Sequence, residues 1–211
     1  MTRVGQDGGA GAAAMSPRDR LRSICGILGP VSFVGAWVLG GSISEGYAPA
    51  RDAISQLARE GAPTRVLMTS GFIAFGLLVP VWAGTAAKLL GDSRLGISVT
   101  AAGLATLGVA AVPLARDQGG AQDLLHAVLA GAGYLAMAVS PLIGAAALRR
   151  AGHPVAAAGS SGIGLVSAAC LAGTLVTDQT GLLQRLGLTV VDAWFVIVAA
   201  CALRRRGGAP A

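Results

Sequence analysis

His126 follows Asp123 by three residues, a spacing that puts an imidazole and a carboxylate on one helix face. Joined by Ser55 and by Asp117 or Asp178, they would supply the nucleophile, base and orienting acid of a hydrolase. Glu45, Asp52, Glu60, Asp117, Asp123 and Asp178 would serve instead as hard oxygen ligands for a cation. The only other histidine, His153, falls at the opposite end of the expected helices, so a multi-histidine zinc site within one chain is excluded. Asp192 stands inside an apolar stretch, and Arg185, Thr189 and Asp192 recur at spacings of four and three, on one face. Ser160, Ser167, Thr174 and Asp178 form a second stripe. Two facing stripes would bond helices together or line a crevice in which Asp192 carries a proton or ion. The structural alternative gives Asp123 and Asp178 to helix capping.

The elements that must position these groups are six apolar stretches, at about 23–41, 66–87, 95–115, 124–148, 155–177 and 182–203. Each is long enough for a helix to cross a bilayer, which takes ~20 residues. The expected fold is therefore all-α, a six-helix transmembrane domain over 21–206, with loose tails at 1–20 and 207–211. With the N-terminus inside, eleven of the sixteen basic residues fall on the inner side, Arg18, Lys88, Arg94, Arg150 and Arg204 among them. The outer side keeps Arg51, Arg59, Arg65, Arg116 and Arg185. That bias places both termini in the cytoplasm, in a multi-pass protein of the cytoplasmic (inner) membrane. It also accounts for the net charge of +6. A nucleic-acid binder would need a basic stripe with stacking aromatics on a soluble face, and only nine residues are aromatic, mostly inside spans.

The three cysteines, Cys25, Cys170 and Cys201, all fall inside spans, which argues for apolar packing over a disulfide framework. No nucleotide-type glycine motif stands at a strand–helix junction, and no cofactor or metal is expected. The glycines lie within helices, where Gly159, Gly162 and Gly164 would let a neighbour approach closely. Arg outnumbers Lys fifteen to one, a bacterial habit of composition. Between the first two spans runs the longest outer loop, Ser42 to Arg65. Pro49 at its start, Gly61 at its stop and apolar residues at helical spacing predict a short amphipathic helix over 49–60, lying on the outer surface.

The segment Tyr47–Pro63, with its aromatic followed by Ile54-Ser55-Gln56-Leu57, resembles a family of bacterial and archaeal membrane proteins, domain of unknown function 998. Gly71–Gly76, Pro113 and Asp117 ahead of His126, and Gly181–Arg185 with Ala193-Trp194 extend the likeness over about 22–204. The resemblance implies a six-span bundle without an established activity, and picks out Tyr47, Ser55, Asp117, His126 and Arg185.

Three readings follow. The leading one is a non-enzymatic structural or binding protein with an outward-facing polar vestibule formed by Tyr47, Asp52, Asp117, Asp123, Asp178 and Arg185, with Asp192 deeper in the bundle. Its expected partners are membrane lipids and another membrane protein or a second copy. The second is an intramembrane hydrolase or transferase acting on an outer-leaflet lipid through His126, Ser55 and Asp117. The third is a proton- or ion-coupled carrier using Asp192.

Overall fold

The computed structural model of the chain describes residues 15–204. Most of the expected N-terminal tail, Arg205, Arg206 and the 207–211 tail lie outside the described residues. Six helices make up the rest: α1 (Pro17–Ile43), α2 (Arg65–Leu90), α3 (Ser93–Ala111), α4 (Ala121–Arg150), α5 (Pro154–Gly173) and α6 (Thr180–Arg204). No strand occurs among the described residues. All six are long and apolar enough to cross a membrane. Their outward faces expose Leu28, Val66, Leu104, Val128, Leu165 and Ile197, at least one on every helix. An apolar surface of that extent is stable only against lipid. The protein is a multi-pass membrane protein.

Local signals set the helix ends. Ser16 caps α1, accepting from the Asp19 amide at 3.1 Å, with Pro17 at the first position. The helix thus starts inside the expected 1–20 tail. Gly91 closes α2 at φ +69°, a left-handed conformation open to glycine. Two spans end sooner than expected. Pro113 keeps Val112 out of the helical region, at φ −119° and ψ 77°, and α3 stops at Ala111. Past Gly173, the Thr174 hydroxyl donates to the Leu171 carbonyl and the Thr177 hydroxyl to that of Gly173, and the chain turns.

Consecutive helices pack side by side, and α6 returns to α1, closing a ring; α4 touches α2 and α6 across it. The interior has two aromatic layers. Phe33 meets Phe72 and Phe75 at 5.8 and 5.7 Å, nearer the long loop. Trp82 meets Phe195 edge-on at 5.3 Å, nearer the termini. Trp82 fits because Gly26 faces it; a Cβ there would lie 2.6 Å from the indole. Gly164 brings α5 against the Ala138 carbonyl of α4 in the same way, but Gly159 and Gly162 face outward with no neighbour, contrary to the expectation for them.

The loop between α1 and α2 also differs from expectation. It holds only a short 3-10 segment, Ile54–Ala58. Ile54, Leu57 and Ala58 are buried, so the apolar residues read as one face of a surface helix plug the mouth of the ring. Contacts with α6, described below, hold the backbone in that tighter path.

At the other end, with the termini, Asp92 ties the α2–α3 turn to the end of α4. Its carboxylate accepts from Arg94 at 2.8 and 3.1 Å and from Arg150 at 2.7 Å. Arg94 and then Arg150 hold its carboxyl well below the usual carboxylate range. A depressed pKa contributes stability that is complete above the unfolded value, about 3.9, and fades only as pH falls toward the folded one. We therefore expect Asp92→Asn to lower the melting temperature in detergent by the same margin at pH 7 and pH 5. A gap that closes by pH 5 would remove the clasp's assigned role.

Candidate functional site

The polar inventory gathers at the loop end, around Arg185. The first turn of a helix leaves amide donors without intrahelical partners. In α6 these turn to the long loop: Gly181 N–H donates to the Arg51 carbonyl at 3.2 Å and Leu182 N–H to that of Ala50 at 2.8 Å. Gly181 is required here, since a Cβ would collide with the Asp52 and Pro49 carbonyl oxygens. One turn on, Arg185 donates to the carbonyls of Asp52 at 3.1 Å and Gly181 at 2.9 Å, and also to Pro49. It further donates to the Tyr47 hydroxyl. Its guanidinium stacks on Trp37 and Tyr47, 5.3 and 5.4 Å from the ring centres. The Tyr47 hydroxyl in turn donates to Asp52 and Ala53 carbonyls at 3.2 and 3.1 Å. Burial pushes that hydroxyl's pKa up, and Arg185 opposes the shift. Gln184 completes the seam, accepting from Ile54 N–H at 3.0 Å.

The α3–α4 connection joins the same cap. The Glu60 amide donates to the Leu114 carbonyl at 3.0 Å. Gln122 donates to Glu60 at 3.1 Å and to the Pro113 carbonyl at 2.8 Å. Asp123 accepts from the amides of Ala115 at 2.8 Å and Gly119 at 2.9 Å, so it clamps the connection rather than capping its own helix. Asp178 is exposed and accepts no hydrogen bond; the α6 amides it was expected to cap are already taken by loop carbonyls.

Structure thus brings Tyr47, Asp52 and Arg185 together, and Glu60 with the Asp123 region. The hydrolase constellation is not assembled. His126 is buried, 3 % exposed, and Nδ1 lies 2.6 Å from the Val112 carbonyl. A carbonyl only accepts, so Nδ1 is the donor in this contact. No partner meets Nε2. Asp117 is exposed and makes no hydrogen bond to the ring. Ser55 instead lines a cavity of about 70 Å³ beneath the 3-10 segment, walled mainly by Phe33, Phe75, Met137 and Leu188, with Thr106, Tyr134 and Gln184 as its other polar groups. Among the described residues no group of three metal-ligating side chains converges.

Asp192 is 2 % exposed, and neither carboxylate oxygen has a partner. Ser167 on α5 is equally buried and unpartnered, while Ser160 accepts from the Trp194 indole at 2.9 Å. The two stripes therefore do not bond each other, and the cavity beneath the 3-10 segment is not lined by Asp192.

Sequence reading passed over Trp37, Gln184 and Arg59. Gln184 stands beside Arg185 in the quoted Gly181–Arg185 segment, and Trp37 sits near the loop end of its span, where aromatics mark an interface. Both signals were present.

Two outcomes are expected. Arg185→Ala removes several charge-assisted bonds and two stacking contacts, worth about 2 kcal/mol together, so trypsin should cut at Arg51 roughly thirtyfold faster. An unchanged rate would mean the loop is held elsewhere. Asp192→Asn removes the burden of an unpartnered carboxylate, about 2.5–3.5 kcal/mol at mid-membrane on insertion scales. The variant should melt no lower than the parent protein, and a loss of several degrees would reveal a bond this geometry lacks.

Comparison with known proteins places this arrangement. No curated protein and no solved structure matches the chain. One family pattern does, over residues 27–201, which takes in all or most of every helix and both connections of the loop-end cap. The chain belongs to the family described as protein of unknown function (DUF998).

Proposed function

We propose that this is a non-enzymatic protein of the bacterial cytoplasmic membrane whose loop end is an outward-facing polar vestibule. It binds a component of that membrane there, a lipid, an ion or another membrane protein. The observation that supports this most is the Arg185 seam. It spends a guanidinium, two aromatic rings and the first turn of α6 on fixing one loop, and so presents Glu45, Asp52 and Arg59 on a rigid frame. Pre-ordered polar groups lose little freedom on binding.

The orientation rests on charge. Arg18, Arg20, Arg22, Lys88, Arg149 and Arg150 gather at the end with the termini, which favours that end inside. The hydrolase reading has less support, because the ring of His126 spends its donor on a carbonyl and its free nitrogen faces no hydroxyl. The carrier reading also has less support, because the Asp192 carboxylate is buried with no hydrogen-bond partner.

Two measurements test the proposal. In intact cells, Glu45→Cys should react with an impermeant maleimide, while a cysteine added at the carboxyl end should not; the reverse pattern overturns the orientation. The protein extracted in mild detergent should carry a bound lipid, ion or membrane protein that Glu45→Ala with Asp117→Ala depletes at least fivefold. Both side chains are exposed and make no hydrogen bond, so the fold should tolerate their loss. Equal retention, or ester turnover that His126→Ala abolishes, would overturn the binding reading.

A further inference from the structure

Between the end of α1 and the start of α2 lies an open polar groove of about 480 Å³, lined by Glu45, Tyr47, Asp52, Gln56, Arg59 and Gln118 among others. Its charges are arranged unusually. Arg59 donates to the Gln56 amide oxygen, and the Gln118 amide, with its oxygen turned to the guanidinium, accepts as well. Both partners are neutral, and the Arg59 Nε is buried with no partner at all. Glu45 is exposed and makes no hydrogen bond. Asp52 accepts from the Ala48 amide through Oδ2 at 2.6 Å, which leaves Oδ1 open. The ion pairs among the described residues include none of the three. One groove thus holds a cation and two carboxylates that do not neutralise one another. A buried donor left without an acceptor costs free energy until something supplies one.

We propose that this groove binds a zwitterion of the phosphoethanolamine type, phosphate on Arg59 and primary ammonium on Glu45 and Asp52. The inference rests on the binding reading above and names its ligand. A guanidinium offers paired donors that match phosphate oxygens. An ammonium offers three donors to the two carboxylates. A choline group offers none and would need an open aromatic face, but the Tyr47 ring is covered by Arg185. The position fits a lipid headgroup. The groove sits where two spanning helices end, and the adjoining Ile43 and Val66 are 68 % and 78 % exposed, apolar surface for acyl chains. The same chemistry would take a soluble phosphoethanolamine ester, so the test separates the two sources.

Protein in phosphatidylcholine nanodiscs, doped with phosphatidylethanolamine, is examined by native mass spectrometry for retained lipid. Phosphatidylethanolamine should be enriched at least tenfold over phosphatidylcholine. Glu45→Gln and Arg59→Gln should each cut that enrichment at least fivefold, with melting temperature compared for each. Glu45→Gln carries the test should Arg59→Gln unfold, because the exposed Glu45 makes no hydrogen bond within the protein. Soluble glycerophosphoethanolamine should displace the lipid only at millimolar levels; displacement at micromolar levels would support the same site with a soluble ligand. Equal retention of both lipids with no displacement by the soluble ester, or enrichment unmoved by Glu45→Gln, overturns the inference. Should a different component be retained and lost on Glu45→Ala with Asp117→Ala, this inference fails while the binding reading stands. Retention of nothing at all overturns both.

Discussion

An irregular loop at the mouth of a membrane bundle carries peptide groups that lipid cannot satisfy, and the first turn of α6 carries amides with no partner in their own helix. Each supplies what the other lacks. Gly181 and Leu182 donate to Arg51 and Ala50, Gln184 accepts from Ile54, and Arg185 closes the remaining carbonyls. From that exchange follows the tight path of the loop, hence the burial of Ile54 and Leu57, hence the sealed mouth of the ring. The Arg185 charge has no carboxylate against it. Aromatic faces and carbonyl dipoles stand in for one, which suits a guanidinium better than an ammonium.

The two ends of the bundle solve their charge problems differently. At the termini end one carboxylate, Asp92, joins two guanidiniums directly. At the loop end, opposite charges are kept apart by amide side chains and backbone. Direct pairing makes a fastener; separation leaves charges available to something else. The middle of the bundle is different again. Asp192, Ser167 and the Trp82 indole are buried without partners between apolar layers. That part of the molecule is packed mainly by shape, with the Trp194–Ser160 and Ser140–Ser98 hydrogen bonds as polar links between helices.

Much of the fold was legible because the constraint is severe. Six runs of apolar residues near the length of a bilayer leave little choice but six helices, and Pro113, Gly91 and Pro154 mark three of the turns. The loop was misread because the spacing of Ile54, Leu57 and Ala58 reports only that they share a face. Spacing does not say whether that face meets lipid or the mouth of the bundle. Around the loop, Tyr47 was picked out by the resemblance and Asp52 and Arg185 by polarity and position, yet the bonding that joins them runs through backbone carbonyls, which every residue has and no motif reveals. His126 was legible as an unusual residue; its bond to Val112 depends on where α3 stops. Asp92 was missed because its second arginine lies 58 residues away.

The reach of these contacts along the chain orders assembly in time. Asp92 cannot close on Arg150 until the fourth helix has left the ribosome, so the first two hairpins enter the bilayer unfastened. The long loop waits longer, because every group that pins it to α6 arrives with the final hairpin. Until then its carbonyls stay hydrated at the membrane surface. The polar mouth of the molecule is therefore the last part to exist, and a nascent chain short of residue 185 lacks both the roof and the helix that closes the ring.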